Sequence, residues 1–302
     1  MTLAPIVLFT YNRPWHTKQT IEVLKKNELA SKSELFIFSD GWKSEKDKPK
    51  VLEVREYLKT IDGFKKVHII ERERNWGLAD NIIDGVTQVV NEYGKIIVLE
   101  DDILTSPYFL RFMNEALERY KDEERVFGVN SYAFPIKKEG LPSAYFLRFF
   151  ACWGWGTYAR SWKLFEKDPD KLIKMFTKEM IKEFDFDNSG IFWSQVVANK
   201  KGKINTWAIF YYATVFLHDG LFLTPRESFT QNIGHDGTGT HCGKTDCFNN
   251  NMVSNYNIIF PDVIEELALA RMRHIEYFKL LKRHFWKKVL SKLTRLITIV
   301  GN

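Results

Sequence analysis

No window of eighteen apolar residues occurs in this sequence, so no segment reads as a membrane-spanning helix. Cysteine is scarce: Cys152, Cys242 and Cys247 are an odd three among 302 residues, with no CxxC spacing. That excludes a disulfide framework and favours a reducing compartment. His241 and Cys242 stand near Cys247, but a structural zinc site usually shows two closely spaced ligand pairs. The opening MTLAPIVLFTYNRP lacks the basic start of a signal peptide, and no repeat or low-complexity tract is present. The expectation is a cytoplasmic protein, or one peripheral on the inner face of the cell membrane. The net charge of +6 is modest, and most of the excess lies in the last thirty residues. Nothing elsewhere forms the basic face that nucleic acid requires.

What is present is a composition 45% hydrophobic and 15% aromatic, ample for a large core. The first hundred residues alternate β-type runs with helical patterns. PIVLFT (5–10), ELFIFSD (34–40), KVHIIER (66–72) and KIIVLE (95–100) read as strands. Between them, Ile21 and Leu24 follow a helix-starting Pro14. Val51, Val54, Leu58 and Ile61 recur at threes and fours, as do Leu78, Ile82, Val86, Val89 and Tyr93. This is the signature of a parallel α/β sheet. Ser106 and Pro107 read as an N-cap and first-turn pair for a helix to about 120. The second half is less regular, with helical stretches near 170–184 and 191–219, and is expected to shape a pocket rather than extend the sheet.

Strand 95–100 runs into three consecutive acids, Glu100, Asp101 and Asp102. Buried like charges are costly unless paired, hydrated or bound to a cation. In an extended chain Glu100 and Asp102 share one face and Asp101 takes the other. The carboxyl edge of an open α/β sheet is where ligands bind, and a hard divalent ion suits oxygen ligands. A solvated strand end beside the next helix is the alternative.

Four elements in order, FTYNRP, SDG, NWGLADN and EDD, together resemble the nucleotide-sugar glycosyltransferases of GT-A fold, in which EDD stands at the DxD motif. CWGWGTYARSW and PRESFTQNIGHDGTGTH are similar to acceptor-side motifs of bacterial surface-polysaccharide (family 2-like) transferases and, more distantly, of the N-acetylglucosaminyltransferase I type. The resemblance implies a Rossmann-like mixed, mostly parallel sheet flanked by helices. It implies Mn²⁺ or Mg²⁺ on Asp102, with His241 within reach of the metal. Thr10, Tyr11, Arg13, Asp40, Asn75, Gly77, Glu100 and Asp101 would bind the nucleotide-sugar, and Trp153, Gly154 and Trp155 the acceptor. Gly234, His235, Gly237 and Gly239 would form a lid.

Inversion needs a base to take the acceptor proton. The N-acetylglucosaminyltransferase I type has an Asp before a Trp, where this chain has Phe192 before Trp193. Asp187 is the expected base, with Asp185 and Asp236 as alternatives. The sequence therefore reads as a GT-A domain over 1–262, divided into a nucleotide-sugar-binding half (1–130) and an acceptor-binding half (131–262). A basic amphipathic helix follows over 263–302. There Ile275, Phe278, Leu281, Phe285, Val289, Leu293 and Leu296 make one stripe amid nine Lys or Arg within 271–300. Such a helix suits an anionic membrane surface, and equally packing on its own domain. The expected reaction is metal-dependent transfer of a hexosyl or N-acetylhexosaminyl unit, from a donor expected to be UDP-linked, to a glycan or lipid-linked glycan. The rivals are a non-catalytic binder of nucleotide-sugar or glycan, and a sugar nucleotidyltransferase. The second would carry a glycine-rich loop after the first strand, and FTYNRPWHT has no glycine.

Overall fold

A computed structural model describes residues 2–238 and 245–283. Its first part is three β-α units and a fourth strand: β1 (Ile6–Thr10), α1 (Pro14–Leu24), β2 (Glu34–Ser39), α2 (Lys48–Leu58), β3 (Lys66–Glu71), α3 (Leu78–Tyr93) and β4 (Lys95–Glu100). These β strands pair in parallel, and β1 is buried along its whole length. An unbroken apolar run is what a strand covered by helices on both faces requires. Helix α3 buries Ile82, Val86, Val89 and Val90 and stops at Gly94 in the left-handed conformation.

Beyond β4 come β5 (Ile103–Thr105), α4 (Phe109–Arg119), β6 (Val126–Asn130), β7 (Ala144–Leu147), β8 (Trp155–Tyr158) and α5 (Ala159–Trp162). Helices α6 (Pro169–Met175), α7 (Lys178–Phe184), α8 (Trp193–Lys200) and α9 (Ala208–Leu217) follow, then β9 (Leu221–Pro225), β10 (Thr230–Asn232) and α10 (268–283). The second half does extend the sheet, contrary to the sequence expectation. Eight strands run in the order β3-β2-β1-β4-β8-β6-β9-β7, with β8 antiparallel to both neighbours and β7 antiparallel to β9. These strands are four or five residues long, and β6 and β8 are interrupted by glycine, so periodicity does not mark them. The glycine is needed: a Cβ on Gly128 would lie 2.1 Å from the carbonyl oxygen of Gly156 on the neighbouring strand.

One face of the sheet packs a largely aliphatic core, including Ile6, Leu8, Leu35, Ile97 and Leu99. The other carries an aromatic one around Trp155, Phe150, Trp207 and Tyr211. Helix α4 begins at Phe109, two residues later than the Ser106–Pro107 pair suggested. Residues 103–105 are instead β5, zipped antiparallel to β10. In α10 the apolar stripe faces the domain. Phe278 is 1% exposed and meets Phe134, Phe149, Phe186 and Phe192, and Leu281 is buried beside it. Phe285, Val289, Leu293 and Leu296 lie outside the described residues. Among the described residues no helix is long and apolar enough to cross a membrane.

Candidate active site

The carboxyl ends of β1, β2 and β4 meet at one edge. Strand β4 ends at Glu100 and the chain turns at once, so the alternation expected of an extended backbone does not continue through the acids. Asp101 and Asp102 both reach the β1–α1 connection: Asp101 Oδ2 accepts the Tyr11 N–H at 3.3 Å, and Asp102 Oδ2 accepts from Arg13 Nη1 at 2.7 Å. Thr20 on α1 donates to the Asp101 carbonyl, fixing the turn against that helix. Burial, with the Asp102 charge second, raises the carboxyls of Glu100 and Asp101 above their ordinary range.

Asp40, at the end of β2, is also buried, and its carboxylate is fully engaged. It accepts the backbone N–H groups of Gly41, Trp76 and Gly77 and the side-chain amide of Asn75, all within 3.0 Å. A carboxylate has about four acceptor positions, so these four donors use them. Asp40 thereby holds residues 75–77 and the start of α3 in place beside the edge, and burial raises its carboxyl. Thr10 is the buried last residue of β1.

The other wall comes from far along the chain. The β5–β10 pairing puts Ile233 N–H on the carbonyl of Asp102 at 2.9 Å, and Asn232 Oδ1 takes the Gly234 N–H. A Cβ at residue 234 would lie 2.0 Å from Asp102 Oδ2. Glycine is required there for the loop to lie against the acid. Further along, Arg13 Nη2 lies 3.3 Å from Thr238 Oγ1 and 3.7 Å from Asp236 Oδ1. His16 Nε2 is 3.0 Å from Asp236 Oδ2. His16 and Thr238 are participants that the sequence reading missed. Only the i, i+3 spacing of Arg13 and His16 on one helical turn hinted at a shared target. The Asp236 carboxyl is held down to about 2, chiefly by the Thr238 N–H and hydroxyl, with His16 and Arg13 adding to it. Burial and the nearby Arg13 lower the imidazole of His16.

Other expected residues lie elsewhere. Asp187 pairs with Lys279 of α10 and with Lys182 at 3.5 Å, and the Lys279 bond lowers its carboxyl. Asp185 accepts N–H groups from Gly190, Phe192 and Trp193 and so closes the α7–α8 turn. Neither touches the acid cluster. Trp155 is 1% exposed, stacked with Trp207 inside the aromatic core, and has no face left for an acceptor. Gly154 packs against Ser131, whose hydroxyl donates to its carbonyl. Trp153 is half-buried and its ring meets His235 at 5.2 Å, beside the edge. Gly239, His241 and Cys242 lie outside the described residues.

No three His, Cys, Asp or Glu among the described residues cluster as a metal centre. Asp102 alone still suits Mg²⁺ or Mn²⁺, which commonly take one or two protein carboxylates and fill the other positions with water and phosphate oxygens. Arg13 already occupies one oxygen of that carboxylate, so a cation would compete with the guanidinium for it.

Residues 6–139 match the sequence profile of glycosyl transferase family 2. No curated protein sequence matches the chain. Among solved structures, S. aureus TarS 1–349 in complex with UDP-GlcNAc is 10% identical, with a TM-score of 0.43, over 76% of this chain and 57% of that one. A mannosyltransferase from Pyrobaculum calidifontis, in complex with GDP-Man and Mn²⁺, is 11% identical with a TM-score of 0.37, over 53% of this chain and 46% of that one. This chain thus spans about half the length of each. The family 2 match covers less than half of the chain, and the mixed, mostly parallel sheet flanked by helices is of the kind expected of the GT-A fold.

Proposed function

We propose that the protein is a metal-dependent glycosyltransferase. It moves a hexosyl or N-acetylhexosaminyl unit from a nucleotide diphosphate donor, UDP-linked, to a hydroxyl of a glycan or lipid-linked glycan, with inversion. The observation that carries this reading is the convergence of Arg13, Asp101, Asp102 and residues 233–238 at the carboxyl edge of a sheet whose first strands match family 2. Tyr11 and residues 75–77, the latter held by Asp40, flank the nucleotide. Glu100 and Asp101 face the ribose and donor sugar.

Asp102 holds the cation. A bound Mn²⁺ or Mg²⁺ would neutralise the diphosphate as it leaves, which is electrostatic stabilisation of developing charge. Arg13, which bonds Asp102 and reaches Thr238 with its second nitrogen, is placed to meet the diphosphate of a bound donor. Of the three candidate bases, Asp236 is the one adjoining this cluster. It takes the acceptor proton. Residues 284–302, with four Lys or Arg and no acid, hold the enzyme at an anionic membrane surface.

The test is nucleotide release from a panel of UDP-, GDP- and dTDP-sugars with Mn²⁺, before and after chelation. Release from one class that stops with chelator is expected. Donor binding without release would make the protein a binder, and pyrophosphate-dependent turnover would make it a nucleotidyltransferase.

A further inference from the structure

Along the segment that lies against Asp102 is a cleft of about 680 Å³ whose lining includes Ile233 and Asp236. Its walls are the segment after β10 and residues 245–251. Ligand pockets typically span ~300–1,000 Å³, so it has room for a short oligosaccharide. The two walls are tied to each other: Gln231 Oε1 accepts the Asn250 N–H at 2.9 Å, and Thr245 donates its N–H to the His235 carbonyl at 3.2 Å. They are also tied to the domain. Tyr132 and Tyr277 hydroxyls bind the carbonyls of Phe248 and Cys247, and the His235 ring packs between Trp153 and Phe248. The cleft is therefore preformed rather than dependent on a ligand to shape it.

Its chemistry is unusual for this chain. Carboxamides line it at Gln231, Asn232, Asn249, Asn250 and Asn251, and two acids, Asp236 and Asp246, stand at its margin. Among the described residues no Lys or Arg lines it, in a protein whose net charge is +6. Carboxamides offer a donor and an acceptor each and match vicinal hydroxyls without adding charge. Asp236 links the cleft to Arg13 and hence to Asp102.

We propose that this cleft seats the acceptor, and that it selects a glycan bearing no anionic group, neutral or amine-substituted, against carboxylated or phosphorylated chains. This rests on the glycosyltransferase reading above and specifies its acceptor class. Asp236 is paired with Arg13 and His16, so it is chiefly the exposed Asp246 that repels a uronate or phosphate, and no Lys or Arg in the described lining offsets it. A neutral chain loses nothing to it, and an amine gains.

Three trisaccharides separate the outcomes: triacetylchitotriose (neutral), chitotriose (amine-bearing) and trigalacturonate (carboxylated). They are titrated against the full chain by saturation-transfer NMR at low salt. The first two should bind at millimolar level, and trigalacturonate at least tenfold more weakly. Asp246 is exposed, so Asp246→Lys should fold normally. It should weaken chitotriose and strengthen trigalacturonate by about tenfold each, leaving triacetylchitotriose within about twofold. Equal or tighter binding of trigalacturonate by the unaltered chain, an order of affinities unmoved by Asp246→Lys, or no binding of any trisaccharide at about 10 mM would overturn the proposal. Donor binding is measured on the same samples. Its loss alone would remove the glycosyltransferase reading while the charge ranking still reports on the cleft. Intact donor binding with the wrong ranking removes the cleft assignment alone.

Discussion

The two halves of the sheet are held by different means. Strands β1 to β4 are parallel and connected by helices; β1, β2 and β4 are buried almost throughout, and β3 is the exposed edge. Strands β6 to β9 are short, largely antiparallel in their pairing and packed on a mass of aromatic rings contributed by residues 134–278. The first half delivers acids to an edge through regular geometry. The second half closes over that edge with segments whose positions depend on contacts more than a hundred residues apart, such as Ile233 on Asp102. Local regularity builds the donor side, and long-range packing builds what faces it.

Substitution can break that division. Asp102→Ala should leave folding intact and remove Mn²⁺-dependent donor binding, lowering kcat/KM by roughly 10²–10³. Calorimetry with and without Mn²⁺ reads this, and unchanged affinity would take the cation off Asp102. Asp236→Asn should lower kcat by about 10²–10³ with donor affinity kept. Because the Asp236 carboxyl of the free protein lies near 2, it stays ionised on any ordinary assay pH. The kcat/KM profile should then show no acidic limb down to about pH 4, since protonation would begin only as pH falls toward that low value. A limb near pH 6 that survives Asp236→Asn would belong to other groups, Glu100 and Asp101 among them, whose carboxyls burial raises.

On the aromatic side, Trp155→Ala should cost about 3–5 kcal/mol of stability, read by denaturant unfolding. A raised acceptor KM with unchanged stability would instead make Trp155 an acceptor residue. Arg13→Gln should strengthen donor-free Mn²⁺ binding by roughly tenfold, since one charged competitor for Asp102 is gone, while turnover falls. Electron paramagnetic resonance of free Mn²⁺ measures it, and unchanged affinity would show that Arg13 does not guard the carboxylate. The smallest effect is expected for Asp187→Asn, within about twofold in kcat. Its loss would be felt as a looser α7–α8 turn against Lys279.

Much of the donor side was legible. The four strand patterns and the helical ones between them fall within a residue or two of where they form, because apolar periodicity records burial directly. The place of the acids followed from the end of their strand, and the resemblance to the GT-A glycosyltransferases implied that Tyr11, Arg13 and Asp40 gather with them. Their partnerships did not. Asp40 was expected on the ligand, yet its four hydrogen bonds hold Asn75, Trp76 and Gly77. Trp155 and Trp153 look alike in CWGWG, but one lies in a strand of the core and the other beside the cleft. Strand β5 was invisible because three residues carry no period, and it exists only through its pairing with β10.

The sequence by itself determined the three β-α units, the fourth strand and the sheet edge to which the acids come, since these follow from local period and from where a strand ends. Only the tertiary structure decided which residues meet there. Arg13 on Asp102, His16 on Asp236 and Gly234 against the acid join segments 89 to 220 residues apart. No local pattern encodes such meetings, because they arise when β10 pairs with β5 and carries its loop onto the edge.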